Sequence, residues 1–390
     1  MCSEQAGARG VLTAEDYATR MEAYASAGMA RARRIGNRGP VRFDECGKVH
    51  PDIVDAYWKH GFYVFENVLH EVEVEELRRD VNDLLARAPI RPGAIVDAEG
   101  NPALGIDMKR NPYFFVKPLS DPVGGTSASH GRHQSKMTEA APAEGAPEYV
   151  VQIIAGMCQL IESGLRVYGH PHLLAVAEAI NGPDFVPYND AIFTKQPGLG
   201  GSVAWHQDGV THWDSPDWDE GIHGVNFQAQ LNRTSAFSCL WVVPGTHKLG
   251  RVDIQARVDA NGGSDQLPDA IPLHCEPGDV TIVNRQTLHS SFANTSDDFR
   301  VSVSWGFHRR KAVAGQHGHL MQPADVVYDD DFIDQRASVV QVAIDARRQV
   351  YRDETPFVYQ PFKGAADRFR WCPETFERVI RDYNTRDIAI

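Results

Sequence analysis

At 390 residues with 42% hydrophobic side chains, the chain can bury a large core, and no internal repeat divides it. A net charge of −13 excludes nucleic acid and an anionic membrane surface as main partners, since both call for a basic face. No signal peptide or bilayer-length apolar run is read, and the six cysteines (2, 46, 158, 239, 275 and 372) fall at no zinc-ribbon or redox spacing, so free thiols in a reducing, cytoplasmic compartment are expected.

Helical patterns come first. Residues 1–50 read as an Ala-rich N-terminal helical extension, and helical periodicity then runs over Pro51 to Lys59 and Val72 to Ala88. Residues 89–148 are rich in Pro, Gly, Ser and Ala and predict a lid-like insertion, in which Met108 to Phe115 offers apolar and basic groups to a substrate. Val150 to Tyr168 and Pro171 to Ile180 read as core helices. Past the sheet region, residues 311–390 predict a C-terminal helical extension packed on the same domain (51–310), with helices from about Ala337 to Arg352 and from about Pro373 to Tyr383.

Between these lie three His-x-Asp triplets, about two more than chance placement gives. His50-Pro51-Asp52 opens a helical pattern, where Pro and an acidic first turn are ordinary. His212-Trp213-Asp214 sits in a Pro-rich, acidic run that reads as a loop, and a loop can also carry ligands. His206 and Asp208 follow a β-prone segment, and residues two apart on a strand face one side while Gln207 faces the other. Two imidazoles and one carboxylate make a facial triad with three coordination positions open, provided a second His completes it.

The partner lies in a punctuated β region. Ile271 to Cys275, Val280 to Asn284, Leu288 to Phe292 and Phe299 to Phe307 read as successive strands of a β-meander separated by polar turns. His289 falls on the third and Arg300 opens the fourth, where Arg300, Ser302 and Ser304 share one face. An Arg there can hold a carboxylate bidentately, with a hydroxyl adding a third bond. Singly, such a His is more often a satisfied sheet residue, and such an Arg a surface charge. Together and in this order they point to a metal and a carboxylate.

Four ordered blocks carry a family resemblance. Gly61-Phe62-Tyr63-Val64-Phe65-Glu66-Asn67-Val68-Leu69 before a Glu-rich helix, Phe193-Thr194-Lys195-Gln196-Pro197-Gly198 before Trp205-His206-Gln207-Asp208, Val242-Val243-Pro244-Gly245-Thr246-His247-Lys248, and Leu288-His289-Ser290-Ser291 with Asn294, Ser296 and Arg300 resemble the phytanoyl-CoA dioxygenase-like family of Fe(II)/2-oxoglutarate oxygenases. The resemblance covers roughly Gly61 to Phe307. It implies that His206, Asp208 and His289 bind iron and that Arg300 binds the distal carboxylate of 2-oxoglutarate, with Lys195 and Ser302 assisting. His247 is then structural. The family often has Asn-Gly where this chain has Phe237-Ser238, and its upstream acidic position is Asn232, with Gln228 and Gln230 on the same face.

The fold that fits is mainly β with flanking helices: a double-stranded β-helix, a cupin-like jelly roll whose cavity suits a metal at one mouth. The expected cofactors are Fe(II), 2-oxoglutarate and O2, with two coordination positions for the 2-oxo acid and one for dioxygen. Related halogenases lack the carboxylate, so Asp208 favours hydroxylation, with desaturation or ring chemistry also open. The substrate is read as a small, largely apolar or secondary-metabolite-type molecule, with His212, Trp213, Gln228 and Phe237 as candidate contacts. The alternative is a non-oxidative cupin-like metal-binding protein or isomerase that needs the triad but not the 2-oxoglutarate residues. A monomer or homodimer is expected.

Overall fold

The computed structural model of the chain describes residues 11–187, 190–208, 224–316 and 327–383. The Thr13 hydroxyl accepts from the Asp16 N–H to start α1 (Ala14–Ile35), and Gly36, at φ 67°, ends it. After β1 (Arg38–Gly39), His50 caps α2 (Pro51–His60), so the first His-x-Asp is a helix start. Gly61 ends α2 at φ 79°, and a Cβ there would run into the Thr287 hydroxyl and the His247 ring. β2 (Phe62–Phe65) and α3 (Glu71–Ala86) follow.

Residues 89–148 and their flank hold the first departures from the sequence reading. Within the segment read as a lid-like insertion, Tyr113–Val116 form a strand, β3, that pairs antiparallel with β4 (Val150–Ala155) at one edge of a large sheet. The helix expected over 150–168 is therefore wrong at its start. Val150, Val151, Ile153 and Ile154 form a short β-branched run, and such a run has no sequence period to separate helix from strand. Gly156, at φ 85°, then turns the chain into α4 (Met157–Leu160) and α5 (Glu162–Tyr168).

Beyond α6 (Pro171–Asn181) come β5 (Phe185–Pro187), β6 (Ala191–Lys195), β7 (Val203–His206), β8 (Val225–Gln230) and β9 (Leu240–Val242). A short α7 (Ile254–Ala260) precedes β10 (Ile271–Leu273), β11 (Val280–Asn284), β12 (His289–Ser291) and β13 (Arg300–Arg309). The chain ends in α8 (Arg310–Val313), α9 (Asp330–Val350) and α10 (Pro373–Thr375), the last running into a π turn at residues 376–380 where a longer helix was expected.

The strands expected over 271–307 are present, but they are not a meander. β10 and β12 belong to a four-stranded sheet in the order β10-β9-β12-β7, while β11 and β13 belong to a nine-stranded sheet in the order β1-β2-β11-β8-β13-β6-β4-β3, with β5 also on β13. Successive strands thus alternate between two sheets, which is jelly-roll topology. Strand and turn patterns do not encode which strand pairs with which. Helices α2, α3, α5, α6 and α9 bury the main core against the large sheet. α1 covers the small sheet, where Tyr24 stacks on Trp241 with centroids 4.5 Å apart. Among the described residues no helix is long and apolar enough to cross a membrane, and the described cysteines are free.

Candidate active site

His206 ends β7 and His289 begins β12, and the two are direct partners across this antiparallel pair. Their rings lie 4.1 Å apart. Asp208 lies two residues past β7, in a bend whose N–H donates to the Arg285 carbonyl at 2.7 Å. Its oxygens reach 3.6 Å from His206 Nε2 and 3.7 Å from His289 Nε2. Gln207 faces the other way, donating to the carbonyls of Gly250 and Gln286 and accepting from the Val252 N–H, so it clamps the backbone behind the site.

The donor set fits a first-row metal. One atom each from His206, Asp208 and His289 lies within 4.8 Å of the others, and all three residues are buried. Both imidazoles place Nδ1 2.8 Å from a backbone carbonyl, of Ala204 and Thr287 respectively. A carbonyl only accepts, so Nδ1 carries the proton and Nε2 keeps its lone pair for a metal. Burial, with His289, His133 and Arg132 nearby, holds His206 well below its usual pKa and therefore neutral. Burial alone would raise Asp208, but the charges of His289, Arg132 and Arg285 and a bond from Asn226 override it and keep the carboxyl below its ordinary value. A neutral imidazole at His206 and a carboxylate at Asp208 are ligand states that iron needs.

On the large sheet, two residues along β8 from the Asn226 that bonds Asp208, Gln228 belongs to a buried polar cradle around Arg300. Arg300 opens β13 opposite Lys195 of β6. Its Nη2 donates to Gln228 Oε1 at 2.9 Å and to the Ser302 hydroxyl at 3.2 Å, while its Nε is buried with no acceptor. Lys195 donates to the Phe292 carbonyl, and burial, then Arg300, holds its pKa well below the usual range. Burial also lowers Arg300 to about 10. A buried guanidinium with an orphaned donor, beside a buried amine, suits an anionic ligand.

Of the other candidates, Gln228 stands in the cradle. Phe237 instead packs against the cluster formed by α1 and the small sheet. His212 and Trp213 lie outside the described residues. His247 Nε2 donates to the Trp58 carbonyl, 2.9 Å away, and ties the Pro244-Gly245 turn to α2. Three residues escaped the sequence reading. Asn226 donates to Asp208 Oδ2 at 2.6 Å; it lies two residues before Gln228 on β8, so the polar alternation Asn226, Gln228, Gln230 carried the signal. Arg132 donates to Asp208 Oδ1 at 3.1 Å, and the His133 ring stands 4.4 Å from that of His206. Both sit in an aperiodic stretch that offered no signal.

A family model described as Phytanoyl-CoA dioxygenase (PhyH) matches residues 57–302. Phytanoyl-CoA dioxygenase 1 of Oryza sativa subsp. japonica is 32% identical over 116 residues, 28% of this chain and 40% of its own length. The phytanoyl-CoA dioxygenase of Arabidopsis thaliana is 23% identical over 269 residues, 66% of this chain and 88% of its own. Among solved structures, AviO1 from Streptomyces viridochromogenes Tue57 superposes with a TM-score of 0.46 at 18% identity, covering 66% of this chain and 94% of that one.

Proposed function

The chain belongs to the phytanoyl-CoA dioxygenase family, and on that premise we propose that it is a non-haem Fe(II)/2-oxoglutarate-dependent oxygenase. In this reading it hydroxylates an unactivated C–H bond of a small, largely apolar molecule and releases succinate and carbon dioxide. One observation carries it. Strand β8 ties the two groups together: Asn226 bonds Asp208 of the triad, and Gln228, two residues along, bonds Arg300, whose buried Nε has no acceptor and is matched to a carboxylate.

His206, Asp208 and His289 hold the metal, and the carbonyls of Ala204 and Thr287 fix both rings with Nε2 toward it. Arg300 anchors the distal carboxylate of 2-oxoglutarate, steered by Gln228 and Ser302, and Lys195 adds charge beside it. When bound, iron with 2-oxoglutarate supplies the oxidant for a C–H bond as the 2-oxo acid loses carbon dioxide. The chain's own share is orientation and exclusion of water: Asp208, Arg300 and Ser302 are all nine-tenths or more buried. Acyl-CoA is not part of the reading, since the sequence carries no dedicated basic cluster that would mark such a carrier.

The competing reading is a non-oxidative cupin-like metal protein or isomerase, which needs the triad alone. Anaerobic loading with Fe(II) and 2-oxoglutarate tests the two, followed by a metabolite screen for gain of one oxygen or loss of two hydrogens. Metal binding without 2-oxoglutarate binding sinks the oxygenase reading.

A further inference from the structure

Residues 120–138 form a strap that brings to the triad two side chains the chemistry above leaves unused. Asp121 ties its ends together, accepting from the N–H of Gly124 at 3.0 Å and of Met137 at 2.7 Å. Gln134 accepts from the Ile254 N–H at the start of α7, and the Thr138 N–H donates to Asp265, which also takes Arg20 of α1. Between these anchors, Ser129, His130 and Gly131 all hold left-handed backbone, at φ 50°, 57° and 68°. Consecutive non-glycine residues stay there only when their surroundings over-determine them.

What this backbone delivers is the pair Arg132 and His133. Arg132 Nη1 bonds Asp208 Oδ1. Its Nε is buried and has no acceptor. His133 is 3% exposed, stands against His206, and has a buried Nδ1 with no partner. A buried guanidinium donor without an acceptor is costly, and the guanidinium fork matches a carboxylate. Charge points the same way. With Fe(II) and the 2-oxoglutarate dianion in place, their charges cancel, and the Asp208 carboxylate is set against the guanidiniums of Arg132, which it bonds, and Arg300, so a positive excess remains.

We propose that Arg132 and His133 form a carboxylate subsite at the triad, distinct from the Arg300 cradle. The carboxylate comes either from the substrate, which is then a small acid, or from the C1 end of the 2-oxo acid itself. The inference rests on the reading of the triad and Arg300 as a metal and 2-oxoglutarate site.

The test is anaerobic calorimetry on the full chain loaded with Mn(II), a redox-silent probe, comparing wild type, Arg132→Gln and Arg132→Lys. Three probes are used: 2-oxoglutarate; pyruvate, which has the C1 carboxylate but no distal one; and benzoate, added with and without 2-oxoglutarate. If the C1 end is the occupant, Arg132→Gln weakens pyruvate and 2-oxoglutarate by about ten- to a hundredfold, and Arg132→Lys recovers part of the loss. If the substrate is the occupant, the same loss appears for benzoate alone. The proposal is overturned if no probe depends on Arg132. It is equally overturned if the change is confined to Mn(II) affinity, which is all that a brace for Asp208 would produce. Wild type that binds Mn(II) but not 2-oxoglutarate defeats the oxygenase reading instead, and the benzoate arm without 2-oxoglutarate still decides the subsite. A melting scan of Arg132→Lys confirms that the comparison is made on folded protein.

Discussion

His289 lies directly across the β7–β12 pair from His206, so two residues far apart in the chain are fixed by one register. A register slip of one residue would turn either imidazole to the opposite face. The site therefore depends on the sheet rather than on a loop. We expect His206→Ala, Asp208→Ala and His289→Ala each to abolish metal-dependent succinate formation from 2-oxoglutarate, with melting temperature little changed, because the small sheet keeps its core of Trp205 and Trp241. Measured succinate at the wild-type rate in any of the three would remove that residue from the metal site.

Arg300 makes the second test. Its guanidinium is held by Gln228 and Ser302 and keeps a buried, unpartnered Nε. Arg300→Ala should raise the Kd for 2-oxoglutarate about a hundredfold, on the scale of a lost bidentate charge-assisted pair, while metal affinity stays the same. Arg300→Lys should recover little, since an ammonium lacks the planar fork. Ser302→Ala should cost only a few-fold, as one neutral hydrogen bond does. An unaltered 2-oxoglutarate titration in Arg300→Ala would place the distal carboxylate elsewhere.

The triad and the cradle were legible because they sit on or beside strands, where a period of two orders the side chains. Gln207 pointing away from the site followed from that period, and so did Arg300 beside Ser302. Strand pairing was not legible: the alternation of β10 to β13 between two sheets depends on long-range packing that local patterns do not record. β4 was read as helix because Val150, Val151, Ile153 and Ile154 make a short apolar run whose sequence shows no alternation. Arg132 and His133 were missed for a different reason. They reach Asp208 and His206 through left-handed backbone at Ser129 and His130, and residues with side chains rarely adopt that conformation, so no pattern announces it.

Gly28 in the middle of α1 offers a stability test away from the site. Replacing an exposed helical Gly by Ala ordinarily gains about 1 kcal/mol. Here the added Cβ would stand 2.6 Å from Trp241 Cη2 and 2.9 Å from Pro272 Cδ, both part of the small sheet. Overpacking of this kind costs about 1–3 kcal/mol, so the sign reverses. We expect Gly28→Ala to lower the urea midpoint. A raised midpoint would mean that α1 can lift from Trp241 at little cost.

His170 stands at the N-cap position of α6 and supplies a pH test independent of the metal ligands. Burial, then the charge of Arg347, holds its pKa well below 6.5, so it is neutral in the folded protein. The groups facing it include Arg347 and His172, both of which oppose protonation, and the Val68 backbone, which favours it. The unfolded chain takes up a proton near pH 6.5 that the folded chain refuses. Stability is therefore complete above that pH and falls as the pH drops through it, with a slope of at most about 1.4 kcal/mol per pH unit for one group. His60, His172, His247 and His274 are all displaced in the same direction by burial, and the whole protein should lose stability more steeply than one group predicts. Urea melts at pH 7.5, 6.5 and 5.5 (values about one unit either side of the imidazole pKa) should show this decline. His170→Asn, which cannot titrate, should show a shallower one. Equal slopes in wild type and variant would mean that His170 takes up its proton without cost in the folded state.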